Sequence, residues 1–304
     1  MNQPLDKNAK EKWLKIATGA SVVVATVLVA IKGVAWLKTG SVAMLGSLLD
    51  SVLDAAAAVL NLLFVRRALR PADERHRFGH GKAEPLGGMF QAMIIGGSAA
   101  FLVAESIRRF VEPELPTNTG LGISIMLISS VIVGGLVLLQ RYVARQTNSL
   151  VIAGDALHGF GDVMINLGVI FALIVSAQFN APFVDPVVGI LLAAILFRGS
   201  WTIAMRAVGQ LMDAEFSPTE RQKIREIALD HPRVTDLHDL RTRRAGLTSF
   251  IQMHIELDPG LNLVEAHDIA DEVEASIRLE FPDSEVLIHQ DPHGAETITQ
   301  FLRA

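Results

Sequence analysis

SVAMLGSLLDSVLDAAAAVLNLL, residues 41–63, is long and apolar enough to cross a bilayer, yet it carries Asp50 and Asp54 near its middle. A charge at the bilayer centre costs roughly 2.5–3.5 kcal/mol on insertion scales, so two carboxylates one helical turn apart call for a partner. A cation is the simplest one, and the spacing points to a metal pathway.

A second stretch answers the first. LVIAGDALHGFGDVMINLGVIFALIVSA, residues 150–177, again reads as a membrane helix and carries Asp155, His158 and Asp162, the last two one turn apart. With the helices antiparallel and their cytoplasmic ends near Leu63 and Leu150, Asp54 and Asp50 lie roughly 14 to 20 Å deep and His158 and Asp162 roughly 12 to 18 Å deep, at about 1.5 Å per residue. The four side chains meet at one level. Three carboxylates and an imidazole form a tetrahedral oxygen–nitrogen set of the kind zinc accepts.

Half of the 304 residues are hydrophobic, which takes the chain out of the ordinary soluble class. With no cysteine, disulfides, iron–sulfur clusters and thiolate metal sites are excluded, so oxygen and imidazole must hold any metal. A net charge of -5 gives no reason to expect nucleic acid as a partner. Six spans are predicted, at Ile16–Leu37, Val42–Leu63, Leu86–Phe110, Leu121–Leu139, Leu150–Ala177 and Val184–Met205. Basic residues collect before the first span (Lys7, Lys10, Lys12, Lys15), between the second and third (Arg66, Arg67, Arg70, Arg75, Arg77, Lys82) and after the fourth (Arg141, Arg145). By the positive-inside rule these segments and both termini are cytoplasmic; Arg108 and Arg109 at the outer end of the third span count mildly against it. The first span lacks a small-residue cleavage site and is read as retained.

After Asp213 the chain turns polar, predicting a separate cytoplasmic domain. Ser217-Pro218 opens a helix to about Leu229. Asp236–Arg243 and Thr248–Leu257 read as a hairpin around Ala245-Gly246, with Ile251, Met253, Ile255 and Leu257 alternating against Gln252, His254 and Glu256. Asn262 and Glu265 form a capping box for a helix to about Glu280, and Glu285–His289 is a last strand. The predicted fold is an α-helical membrane protein: a six-helix transmembrane bundle (16–212) after a short cytoplasmic segment (1–15), then a small α+β, ferredoxin-like αββαβ cytoplasmic domain (213–304).

The pairs Asp50/Asp54 and His158/Asp162, the loop Pro71-Ala72-Asp73-Glu74-Arg75-His76-Arg77-Phe78-Gly79-His80-Gly81-Lys82 and the terminal Ile288-His289-Gln290-Asp291-Pro292 together resemble the cation diffusion facilitators, most of all the bacterial zinc and iron(II) efflux facilitators. The resemblance runs from about Lys12 to Pro292. It implies a homodimer in the bacterial inner membrane that exports divalent metal from the cytoplasm in exchange for protons, with Asp50, Asp54, His158 and Asp162 as the ligands of the transport site. By the same likeness Asp73, His76 and His80 bind a second metal, whereas on spacing alone that run reads as a solvated polar stretch. His238, His254, His267, His289 and Asp291 become a two-metal cluster at the dimer interface, and Lys82 a charge interlock with Asp213, the alternative being a plain positive-inside lysine. Asp155 reads either as part of an entry vestibule or as a helix cap, and Gly159 and Gly161 either permit close packing or loosen the helix.

The resulting expectation is a secondary antiporter and not an enzyme, with zinc as cargo and regulatory ligand and cadmium and iron(II) as other candidates. No Gly-x-x-x-x-Gly-Lys-Ser/Thr run is present to serve a primary pump. The alternatives are a membrane-anchored metal sensor and an intramembrane metallohydrolase; the latter lacks a His-Glu-x-x-His motif and a separate general base.

Overall fold

The computed structural model describes residues 6–39, 42–111, 120–179 and 183–294. Six long helices come first: α1 (Lys7–Thr39), α2 (Val42–Ala68), α3 (Ala83–Val111), α4 (Gly120–Thr147), α5 (Leu150–Phe179) and α6 (Val184–Leu211). All six contain stretches long and apolar enough to span a membrane, so the chain is a multi-pass membrane protein. The helices overrun the predicted apolar spans at their polar ends. Helix α1 begins at Lys7 because Asp6 accepts from the Ala9 amide at 2.6 Å and Lys, Glu and Ala are good helix formers; α4 runs to Thr147 through the Arg-rich turn after Leu139. The link between the third and fourth predicted spans lies almost wholly outside the described residues.

The bundle is built inside out relative to a soluble protein. Many of its large apolar side chains, among them Phe101, Val131 and Leu138, face outward, while its interior mixes small and polar residues with a few large ones such as Leu14, Ile95 and Ile152. Helix α1 packs on α2 and α4, and α5 packs on α3 and α4. Close approach of α3 to α5 depends on glycine. A Cβ at Gly88 would lie 2.6 Å from Leu150 Cβ, and one at Gly154 2.6 Å from Gln91 Cγ. Gly159 meets Val137 and Val133 of α4, and Gly161 meets Leu196 of α6, so both glycines beside His158 permit packing.

The chain divides into two compact units, Met1–Gly209 and Gln210–Ala304. In the second, α7 (Pro218–Leu229), β1 (Asp236–Ala245), β2 (Thr248–Leu257), α8 (Leu263–Glu280) and β3 (Ser284–Pro292) follow the predicted αββαβ order. Both helices start with capping boxes, Ser217 with Glu220 and Asn262 with Glu265. The sheet order is β1-β2-β3, with β1 antiparallel and β3 parallel to β2. A core of Ile224, Leu237, Ile251, Met253, Ile255, Val273 and Ile277 fills the space between helices and sheet. The apolar alternation read in Thr248–Leu257 is the inner face of β2.

Candidate metal sites

Helices α2 and α5 bring Asp54, His158 and Asp162 together inside the bundle, each offering a ligand atom within 4.8 Å of the others. His158 Nε2 is 3.0 Å from Asp54 Oδ1 and 3.8 Å from Asp162 Oδ2. Asp50 stands outside this triangle. One turn along α2 from Asp54, its side chain lies on an exposed face of the helix.

The α2–α3 link forms a second cluster. Asp73 Oδ1 accepts from the amides of Arg75 at 3.0 Å and His76 at 2.7 Å, closing an Asx turn. Gly79, at φ +78, then turns the chain so that the His80 ring stacks 4.4 Å from that of His76. His76 Nδ1 is 3.1 Å from Asp73 Oδ1, and His80 Nε2 is 3.3 Å from Asp73 Oδ2. That His80 nitrogen is buried without a well-directed hydrogen bond, as a nitrogen aimed at a shared centre would be. Desolvation works against the Asp73 carboxylate, but hydrogen bonds from His76 and Arg75 and the His76 ring hold it below the ordinary carboxylate range.

The sheet of the second unit makes the third cluster by register. His238, His254 and His289 are direct partners across β1, β2 and β3, three imidazoles in one row. Two residues on, Asp236, Glu256 and Asp291 form a row of carboxylates. A bulge after His238, with Asp239 at φ +49, ends the regular register there. Asp291 is the hub: its Oδ2 lies 2.8 Å from His254 Nδ1 and 3.2 Å from His238 Nε2, and its Oδ1 3.2 Å from His289 Nε2. Burial raises its pKa, but the hydrogen bond with His254 and the charges of His254, His289 and His238 outweigh this and keep Asp291 below its ordinary range. His238 Nε2 is another buried nitrogen without a directed hydrogen bond.

Residues 19–212 match the cation efflux transmembrane domain, and residues 216–293 match the cytoplasmic domain of cation efflux proteins. The cation-efflux pump FieF of Shewanella oneidensis is 42% identical over 95% of this chain and 97% of its own. The chain belongs to the cation efflux family. FieF of Salmonella paratyphi A is 41% identical over 90% of this chain and 91% of its own. A solved structure of CzrB in its zinc form aligns with 27% of this chain and 96% of its own at 33% identity, with a TM-score of 0.26. As a member of the cation efflux family the chain is a divalent cation efflux transporter and not an enzyme.

Within this efflux protein His267 does not join the sheet cluster. It is 65% exposed on the outer face of α8 and pairs with Asp271 at 3.5 Å, because the inner face of that amphipathic helix is taken by Ile269, Val273 and Ile277. Glu256 was not singled out from the sequence as a site residue. Its Oε1 lies 3.4 Å from His238 Nδ1, and its Oε2 2.8 Å from Nδ1 of His293. The signal was available: Glu256 shares the polar face of β2 with His254, two residues away. Asp213, proposed as the partner of Lys82, lies 3.4 Å from Arg243 within its own unit.

Asp155 neither caps α5 nor joins the metal triangle. Glu84 of α3 and Ser149 supply the cap, with Glu84 accepting from the Ser149 hydroxyl and the Leu150 and Val151 amides. Asp155, 9% exposed, accepts from Ser21 of α1 and Gln140 of α4 at 2.6 Å each, from Asn61 of α2 at 3.3 Å, and from Gln91 of α3 at 3.5 Å. One carboxylate thus ties five helices together directly below the metal triangle.

Proposed function

We propose that this protein exports zinc from the cytoplasm in exchange for protons, through a transport site made by Asp54, His158 and Asp162 with Asp50 completing the set. The observation that carries this reading is the triangle on α2 and α5, an imidazole between two carboxylates inside a membrane bundle. Intramembrane ionisable groups in such an arrangement mark an ion pathway. Carboxylate and imidazole donors suit zinc and also accept cadmium and iron(II). The names of the FieF relatives, cation-efflux pumps, support export as the direction.

Proton exchange follows from the ligands. A carboxylate or imidazole binds metal only when deprotonated, so each arriving cation expels protons and each arriving proton weakens the metal. Alternating exposure of the site to the two sides then couples the flows without ATP. The protein acts as a homodimer in the bacterial inner membrane, with residues 1–15 and 213–304 cytoplasmic and 16–212 as the transport domain. His238, His254, His289 and Asp291 hold regulatory zinc. They fit it, since three imidazoles converge on one carboxylate and a buried ring nitrogen there lacks a directed hydrogen bond. Asp73, His76 and His80 take a further metal at the surface, and His267 joins the cytoplasmic site across the dimer.

The test is zinc titration in a pH indicator, on protein whose Asp73, His76, His80 and cytoplasmic ligands have been replaced so that one site remains. Protons released with each bound zinc, and flux that follows an imposed pH gradient, are the expected results. Zinc binding without proton release, with flux indifferent to the gradient, would leave a uniporter and end the antiport reading.

A further inference from the structure

Four arginines line one cavity of about 590 Å³ in the membrane unit: Arg141 and Arg145 of α4, and Arg198 and Arg206 of α6. No aspartate or glutamate lines it, and none of the four forms an ion pair with a carboxylate among the described residues. Arg141 instead lies over the Phe160 ring at 4.6 Å. The carboxylate of Glu84 is engaged with the start of α5, accepting from the Ser149 hydroxyl and the Leu150 amide.

Arg141 and Arg145 flank the fourth span on the positive-inside pattern, but Arg198 lies well inside the sixth and sets this cluster apart from an ordinary flanking group. Gly199, beside Arg198, packs against Leu157, about 10 Å along α5 from Leu150 at 1.5 Å per residue. Arg206 lines the cavity together with Asn148 and Ser149 at the start of α5, and Arg198, eight residues earlier, stands about 12 Å further along α6. An arginine at that depth costs a few kcal/mol in hydrocarbon unless it reaches an anion at the interface. The walls between the deep and shallow arginines are mostly apolar, with Ala156, Leu157, Ile195 and Ile203, and Thr202 is the polar exception.

We propose that this cavity binds an anionic phospholipid of the bilayer, its phosphodiester held by the four guanidiniums and an acyl chain lying along the α5–α6 wall. Guanidinium forks match phosphate oxygens in pairs, and basic pockets between membrane helices suit anionic headgroups. The chemistry is amphiphilic at both levels, which commits the site to a lipid rather than to free phosphate. Four positive charges also make it unsuitable for the exported metal.

The test is native mass spectrometry of the full-length protein in detergent with phosphatidylglycerol or phosphatidylcholine added, and inorganic phosphate in excess as a competitor. The parent is expected to prefer phosphatidylglycerol about tenfold, and Arg198→Ala/Arg206→Ala to lose most of that preference, about a factor of ten being the size of one charge-assisted contact. Arg66→Ala/Arg67→Ala, at the exposed end of α2, is expected to keep it. If the α6 pair proves unstable, Arg141→Gln/Arg145→Gln at the α4 end serves in its place. Equal retention of the two lipids by the parent, displacement by inorganic phosphate, or an equal loss in the Arg66/Arg67 variant would each overturn the site.

Discussion

Asp155 holds hydrogen bonds from four neighbouring helices while buried in the bundle. Interhelical side-chain hydrogen bonds in membranes average about 0.6 kcal/mol, so removing all four through Asp155→Ala costs roughly 2–3 kcal/mol. Thermal unfolding in detergent checks this: the variant melts at a lower temperature, Asp155→Asn falls between it and the parent, and an unshifted Tm for Asp155→Ala contradicts the assignment. The role was not legible in the sequence. Ser21, Asn61, Gln91 and Gln140 are neutral residues scattered over four helices, and nothing in their spacing shows that they converge. His158 was legible, because a titratable group between carboxylates in an apolar run has few structural uses. Its replacement tests selectivity. His158→Asp makes the set all oxygen, which should move preference toward manganese, read from direct competition between zinc and manganese for uptake. An unchanged ratio would place selectivity elsewhere.

At the scale of the element, periodicity found every helix and strand, and capping residues located the starts of α7 and α8. Helix ends in the membrane unit were set less well, since good helix formers continue a helix past the apolar stretch that announces it. Facing was harder still. Asp50 and Asp54 are one turn apart, yet in the structure only Asp54 joins His158 and Asp162, because packing on other helices decides which stripe of α2 faces α5. His267 likewise lies on the outer face of its helix, where it pairs with Asp271. Gly88 shows how closely helices must approach to build the site. An alanine there would place its Cβ 2.6 Å from Leu150 Cβ and 3.3 Å from the Leu150 carbonyl carbon, atoms that no rotamer change can move. Such overpacking costs about 1–3 kcal/mol, and it would push α3 from the start of α5 and weaken the Glu84 cap. Gly88→Ala should therefore melt earlier and transport more slowly, measured by detergent unfolding and proteoliposome flux, whereas Gly97→Ala, with open space at its Cβ, should resemble the parent.

For the whole molecule, the long apolar helices and the polar region after Asp213 pointed to a membrane protein with a small α+β domain, and the motifs pointed to its family. The sheet cluster was named by the resemblance, and the structure supplies its geometry. His238, His254 and His289 are far apart in the chain, and only the mixed register of β1, β2 and β3 sets them in one row with Asp291 beside them. The membrane triangle is the part on which the account of transport stands. Replacing Asp54 by Ala removes one of its charged ligands while leaving the Asp155 network untouched, so insertion and folding should survive. The decisive measurement is zinc flux into proteoliposomes under an imposed pH gradient, parent against Asp54→Ala, at matched amounts of folded protein. The account predicts that transport falls to the protein-free background in the variant; zinc flux near the parent rate would contradict it.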